Sequence, residues 1–233
     1  MKNRIIEAVI IAFGLFLLGA SIKSGIKLFS QRDRVVNVKG LAEREIPADK
    51  VIWPLAYKEV GNDLGVLYNN LSTKNQTVKS FLIANGIKEE EISISAPQIV
   101  DMEAERYGNN QSPYRYNITS VITVSSDNVD QVRKLIGEQG ELLKQGIAVA
   151  GGDYQYQVQY SFTQLNDIKP QMIEEATKNA REAAVKFAED SNSKLGKIKS
   201  ANQGQFSISD RDANTPHIKN VRVVSTIEYY LKD

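Results

Sequence analysis

A long uncharged apolar run near the start of the chain restricts its structure more than any other feature of the sequence. From Ala8 to Ile22 no residue is charged, and counted from Ile5, with Glu7 inside it, the run has 18 residues. A membrane-spanning helix needs about 20 predominantly apolar residues, with a range of about 17–25, and the apolar core of a secretory signal has about 7–15. The sequence therefore predicts an N-terminal transmembrane or signal-anchor helix, with these anchoring residues: Ile10, Phe13, Leu15, Leu17 and Leu18.

Whether this helix is retained depends on the residues at its end. Gly19-Ala20-Ser21 is the best candidate for a small-residue cleavage site. Because that site is poorly formed, an uncleaved signal anchor is favoured over a cleaved peptide. A buried helix of a soluble domain is the remaining alternative, and the apolar residues on all faces of the run disfavour it.

Basic residues flank the helix on both sides and bear on its orientation in the membrane. Lys2 and Arg4 precede the run, and four basic residues follow it: Lys23, Lys27, Arg32 and Arg34. Their count alone would place the following domain in the cytoplasm, whereas a short basic tail before a large domain is the ordinary export pattern. We expect a cell-envelope protein, with residues 1–34 as inner-membrane anchor and linker and residues 35–233 as a periplasmic domain.

The composition excludes most chemistry that depends on sulfur or imidazole. The 233-residue chain has no cysteine and one histidine, so it forms no disulfide, thiolate metal site or lipidated cysteine. The net charge is +1, and residues 35–233 alone carry −3, whereas nucleic-acid-binding proteins usually present a basic surface. We predict no catalytic, cofactor or metal site and no nucleic-acid partner, while the identity of any small-molecule ligand stays open.

After residue 34 the hydrophobic pattern alternates between strand and helix periods. Residues 51–57 predict a strand, and Asp63 and Asn85-Gly86 predict the two ends of a helix. The order strand, helix, strand, loop, strand then recurs, with Asp167 as the predicted cap of a long helix through Ser191. Its predicted apolar stripe is Ile168, Met172, Ala176, Ala180, Ala184 and Phe187. We predict an α+β fold, in which two βαββ-like repeats form an antiparallel sheet packed by long helices.

Tyrosines recur on two of the predicted strands. Tyr114 and Tyr116 begin one strand, and Tyr154, Tyr156 and Tyr160 alternate along another. Such side chains stack on a sugar or a partner in some proteins, although cross-strand packing is their commoner use. The five tyrosines are our candidates for interface or ligand contacts.

Two stretches of the sequence carry the motifs of a known protein family. The first is a strand that contains Gly40 and leads into Ile46-Pro47-Ala48-Asp49, where the proline stands one place earlier than is usual in the family. The second is the alanine-rich segment 180–188, which leads into Leu195-Gly196-Lys197-Ile198. Both stretches resemble the SIMPL-domain family, which includes bacterial periplasmic immunogenic proteins and YggE-type oxidative-stress proteins. The resemblance covers residues 35–231. It implies two βαββ-like units, an envelope location, self-assembly into a homo-oligomer and a link to envelope or oxidative stress, but it supplies no catalytic site.

Few other residues are candidates for chemistry. Asp101, Glu103 and Glu105 are possible ligands of a hard cation, although a calcium loop needs a more complete series of oxygen ligands. A lone loop histidine such as His217 is more often a surface residue than a general base. Asn117-Ile118-Thr119 matches a glycosylation triplet by pattern only.

Three functions therefore stay open. The first is a membrane-anchored, non-enzymatic envelope protein that assembles with itself, with the loops 101–113 and 209–220 as interface elements. The second is a periplasmic module that binds a ligand or peptide. The third is an enzyme built around His217 or the acidic loop, and we rank it last because the sequence contains no catalytic motif.

Overall fold

Helices and antiparallel sheets make up the chain, which confirms the predicted α+β class. The computed structural model describes residues 2–31, 34–104, 112–150 and 154–232. The helices are α1 (Lys2–Gln31), α2 (Leu64–Ala84), α3 (Val129–Glu138), α4 (Gly140–Lys144) and α5 (Leu165–Asp190). The strands are β1 (Val35–Pro47), β2 (Lys50–Gly61), β3 (Ile92–Ile94), β4 (Gln98–Asp101), β5 (Tyr116–Ser126), β6 (Gln159–Ser161), β7 (Lys194–Gln203), β8 (Ser207–Asp210) and β9 (Ile218–Lys232). In the described part of the chain no helix is both long and apolar enough to cross a membrane.

The strands form two antiparallel sheets, in agreement with the predicted antiparallel pairing. In one sheet β9 lies between β1 and β7, and β8 also pairs with β9. In the other the order is β3, β5, β2, β6, and β4 also pairs with β5. Both sheets contain strands from both halves of the chain, so the two predicted repeats do not correspond to the sheets. In each sheet a central strand joins the two halves, because β2 pairs with β5 on one edge and β6 on the other, and β9 lies between β1 and β7.

Two compact units are formed from interleaved stretches of the chain. The first contains Met1–Arg44, Asn166–Ile208 and Val221–Asp233, and the second contains Glu45–Leu165 and Ser209–Asn220. The buried core of the first unit includes Val38, Ala180, Ala184, Ile227 and Tyr229. The second unit has a larger core, which includes Val51, Trp53, Leu55, Leu71, Val78, Leu82, Ile118, Ile122 and Val124.

Helix α2 begins and ends at the residues that the sequence predicted. The Asp63 carboxylate accepts hydrogen bonds from the backbone N–H groups of Gly65 at 2.7 Å and Val66 at 3.1 Å, as an N-cap residue does. Asn85 is the C-cap, and Gly86 has a φ of +87°, a conformation that favours glycine. The local signals at both ends therefore agree with the fold.

Helix α5 does not begin at the predicted cap. It starts at Leu165, two residues before Asp167, so the prediction of an Asp167 cap is wrong. The carboxylate of Asp49 lies in front of the helix and accepts hydrogen bonds from Thr163 N at 2.8 and 2.9 Å and from Gln164 N at 3.0 Å. A residue more than a hundred positions away therefore satisfies the backbone donors that precede the helix.

The buried stripe of α5 packs directly on strand β1. Met172, Ala176, Ala180, Ala184 and Ala188 are buried, whereas Phe187 is 62% exposed, which corrects the predicted end of the stripe. A Cβ atom at Gly40 would stand 1.8 Å from the carbonyl oxygen of Ala176 and 2.4 Å from the nitrogen of Ala180. The glycine of the first SIMPL-like stretch thus packs closely against Ala180, the first residue of the second stretch, and against Ala176 one turn before it.

Candidate functional site

The five predicted anchor residues all lie on α1 and all point outward. Ile10, Phe13, Leu15, Leu17 and Leu18 are each between 50% and 65% exposed. Because an α-helix has 3.6 residues per turn, the four consecutive residues 15–18 cover all its sides, and Phe16 is exposed as well. Helix α1 therefore presents apolar side chains around its whole circumference.

The five candidate tyrosines occupy different environments. Tyr154 and Tyr156 lie in a 3₁₀ helix, not in the predicted strand, and β6 begins only at Gln159. Tyr116 and Tyr160 pack against the core of the second unit, whereas Tyr114 and Tyr154 are exposed.

The structure also separates these tyrosines along strand β2. Tyr116 pairs with Gly61 and Tyr160 pairs with Val51. Ten residues of extended strand span about 33 Å. Tyr116 and Tyr160 therefore lie at opposite ends of β2.

His217 is held in the second unit through both its ring and its main chain. Its ring meets the ring of Tyr160 edge to face, with 6.1 Å between centroids, and its carbonyl oxygen accepts a hydrogen bond from Ala48 N at 2.8 Å. Partial burial, and then the charges of Arg133 and Arg211, lower the pKa of His217. The contact ties the loop 209–220 to the Pro47-Ala48-Asp49 segment.

The loop 209–220, predicted as an interface element, is ordered by its own hydrogen bonds. The Asp212 carboxylate accepts hydrogen bonds from the hydroxyl of Thr215 and from the backbone N–H groups of Asn214 and Thr215, the latter two at 2.8 Å. These bonds, with that of the Thr215 hydroxyl contributing most, lower the pKa of Asp212 to about 2.

The predicted cation ligands are partly engaged by an arginine. Arg115 donates to the Asp101 carboxylate at 3.0 and 3.2 Å, and its Nε lies 3.5 Å from Glu103. The Arg115 hydrogen bond lowers the pKa of Asp101. Glu105 and the loop segment 105–111 lie outside the described residues, and within the described ones no group of three or more His, Cys, Asp or Glu side chains could hold a metal ion.

A polar cluster lies buried between α2 and its sheet. The hydroxyl of Tyr57 and the hydroxyl of Ser120 both donate to the side-chain oxygen of Asn75, the latter at 2.9 Å. Burial is the main cause that raises the pKa of Tyr57. The cluster satisfies polar groups inside the core, which is its structural role.

A groove between α2 and β4 was not predicted from the sequence. It has a volume of about 400 Å³ and is lined by Leu64, Gly65, Tyr68, Asn69, Leu71, Pro97, Ile99 and Ile118; we call it the α2–β4 groove. Ile99 pairs with Ile118, and Ile94 pairs with Ile122. Paired residues share a face of the sheet, so Ile94 and Ile99 lie on the face that α2 packs against.

That side of the sheet is wider than the helix that covers it. Ile118 and Ile122 are buried, but Ile94 is 47% exposed and Ile99 is 54% exposed. The sequence signal for this groove is the stretch 92–100, which contains no charged residue.

Comparison with known proteins gives one family. The family model described as SIMPL, protein of unknown function (DUF541), matches residues 36–226. No curated protein matches the chain at a significant level. The matched region contains both SIMPL-like stretches, which meet at the contact of Gly40 with Ala180. The chain therefore belongs to the SIMPL family.

Proposed function

We propose that this SIMPL protein is a non-enzymatic component of the cell envelope, anchored in the inner membrane by α1, with its remaining residues in the periplasm. The observation that carries the proposal is the apolar surface around α1, on which every described side chain from Ile10 to Ile22 is exposed. Leaving such side chains in water costs roughly 1.5–3 kcal/mol for each large one. A bilayer would cover them instead, and the apolar run of 18 residues from Ile5 to Ile22 falls within the range of about 17–25 residues that a spanning segment needs.

Structural contacts of the candidate catalytic residues support the non-enzymatic part. The His217 ring packs on Tyr160, and its main chain holds Ala48. The carboxylate of Asp101 is held by Arg115. Each candidate thus has a structural partner that accounts for its position.

The anchoring is tested by charge insertion in α1. The double substitution Leu15→Arg and Leu18→Arg should move the full chain out of carbonate-washed membranes, because each arginine at the centre of a spanning helix costs about 2.5–3.5 kcal/mol of insertion. Val66→Arg with Leu143→Arg is the matched control, since these two residues are exposed on α2 and α4. The anchor is refuted if the unmodified chain is extracted by carbonate, or if the α1 variant stays in the membrane as the control does. The periplasmic placement is tested with a reporter that is active only in the cytoplasm, fused to the C-terminus of the chain. Activity of this reporter would refute the placement.

Self-assembly into a homo-oligomer is the second part of the proposal. It rests on the family resemblance, and Phe187 on α5, which is 62% exposed, is a large apolar side chain of the first unit that a second copy would cover. Light scattering on the full chain in detergent should give a protein mass that is a multiple of 26.0 kDa. A mass of one chain at all concentrations would refute self-assembly.

The proposal includes the link to envelope or oxidative stress that the family resemblance implies. A deletion strain should then survive peroxide treatment less well than the parent strain. Restoration by the full chain is the control, and equal survival of the two strains would remove this part of the proposal.

A further inference from the structure

We propose that the α2–β4 groove binds an extended, uncharged, apolar segment of a partner polypeptide, which pairs with β4 and places one large side chain in the groove. This inference does not depend on anchoring or on self-assembly. It rests on three properties of the second unit: an open strand edge, the absence of charge along that edge, and an apolar groove beside it.

The first property is the open edge of β4. Among the described residues β4 pairs with β5 alone. Met102 N donates to Arg115 O at 2.7 Å, and in an antiparallel pair the residues that bond to the neighbouring strand alternate. Val100 and Gln98 therefore face β5, and the N–H and C=O groups of Ile99 point away from it. An added strand can bond to both groups of Ile99.

The second property is the lack of the usual protection against strand pairing. Edge strands commonly carry lysines that prevent association with another strand. The edge strand β7 of the other sheet follows this rule, with Lys194, Lys197 and Lys199. Residues 92–100 contain no charge at all. Pro97 lies between β3 and β4, so it removes no donor from β4.

The third property is the shape of the groove. Leu71 and Ile118 are buried, and the exposed walls carry Leu64 and Tyr68 on one side and Ile99 on the other. The volume of about 400 Å³ falls within the range of ligand sites. However, the groove is open, because its walls Tyr68 and Ile99 are 62% and 54% exposed. A small-molecule site, in contrast, encloses most of the surface of its ligand. An open apolar trough beside an unpaired edge fits a chain segment that passes along it.

The charges beside the groove favour an uncharged occupant. Asp101, at the end of β4, is held by Arg115. No residue that lines the groove is charged. A charged side chain that entered it would lose hydration without gaining a partner. Specificity would therefore come from alternating apolar side chains on an extended backbone.

The test uses the full chain in detergent micelles and a set of capped, fluorescent peptides, Thr-Val-Thr-Xaa-Thr-Val-Thr, with Xaa as Leu, Ile or Phe. Each peptide has a matched control that is N-methylated on alternate residues and cannot pair with a strand. We expect saturable anisotropy changes that N-methylation weakens at least tenfold, with shifts of the Ile99 and Asp101 amide signals in NMR spectra. Ile99→Lys and, on the opposite wall, Tyr68→Glu should each weaken binding at least tenfold. Ile198→Lys on β7, where Ile198 is 51% exposed, is the control and should leave binding unchanged.

Several outcomes would overturn the proposal. It fails if no peptide of the set saturates, if the N-methylated peptides bind equally well, or if Ile198→Lys weakens binding as much as Ile99→Lys does. Because the chain has no cysteine, an Ile99→Cys variant gives a clean cross-linking test. Efficient formation of a disulfide-linked dimer would assign the groove to a second copy of the chain instead.

Discussion

Replacement of Gly40 by alanine tests the contact between β1 and α5. The new Cβ atom would stand 1.8 Å from Ala176 O and 2.4 Å from Ala180 N, and ordinary contact begins at 3.4 Å. The helix and strand would therefore have to separate by about 1.6 Å. Gly40 does not have a positive φ, so the effect comes from the collision and not from backbone strain.

The expected loss follows from the atoms that collide. An extra methylene in a packed core costs about 1–3 kcal/mol when side chains can adjust. Here the opposing atoms belong to the backbone of α5, which has no rotamer to change, so we expect a loss of about 3 kcal/mol, at the upper end of that range. At about 2–4 °C for each kcal/mol, the midpoint of thermal unfolding should fall by about 6–12 °C.

Urea and thermal unfolding, followed by circular dichroism in the same detergent, measure this loss. Gly137→Ala is the matched control, because Gly137 lies in α3 and its Cβ would meet nothing within 4 Å. That change should be neutral or stabilise the chain by up to about 1 kcal/mol. A loss below about 1 kcal/mol for Gly40→Ala, well under the usual cost of overpacking, would refute the reasoning.

Three further predictions concern the polar contacts of the second unit. Asp49→Ala should lower the free energy of unfolding in urea by about 1–2 kcal/mol, as the loss of a helix cap does, and Asp49→Asn should lower it less; equal losses would contradict a role for the charge. Tyr57→Phe should cost about 1 kcal/mol, and since burial raises the pKa of Tyr57 above its ordinary 10.0, stability should decline as pH rises through that value. Because the chain has ten tyrosines, the difference in phenolate absorbance between the parent chain and Tyr57→Phe isolates this group, and a difference that appears at the ordinary pH would refute the raised pKa. The pKa of Asp212 is lowered to about 2, so its contribution to stability should be present above the ordinary range of aspartate and disappear as pH falls towards 2. NMR titration should show this low pKa and its rise in Thr215→Val, and an unchanged pKa in that variant would contradict the assignment.

The candidate site was only partly predictable from the sequence. The proposed anchor residues could be named from the sequence because a continuous apolar run needs no tertiary information to be recognised. The tyrosines were identified by alternation. The prediction of a strand failed for Tyr154 and Tyr156, which lie in a 3₁₀ helix, because alternation over so short a stretch does not distinguish a strand from a turn. The α2–β4 groove was missed because the exposure of Ile94 and Ile99 depends on how far α2 covers the sheet.

The sequence by itself determined the α+β class, the apolar N-terminal helix, both ends of α2 and the family resemblance. These features depend on neighbouring residues, such as the hydrogen bonds of Asp63 to the N–H groups of Gly65 and Val66. Only the tertiary structure decided the division into two sheets, the role of Asp49 in front of α5 and the close approach of Gly40 to Ala176. Each of these joins residues far apart in the chain, and strand partners are chosen by which faces can be buried together, which no local pattern contains.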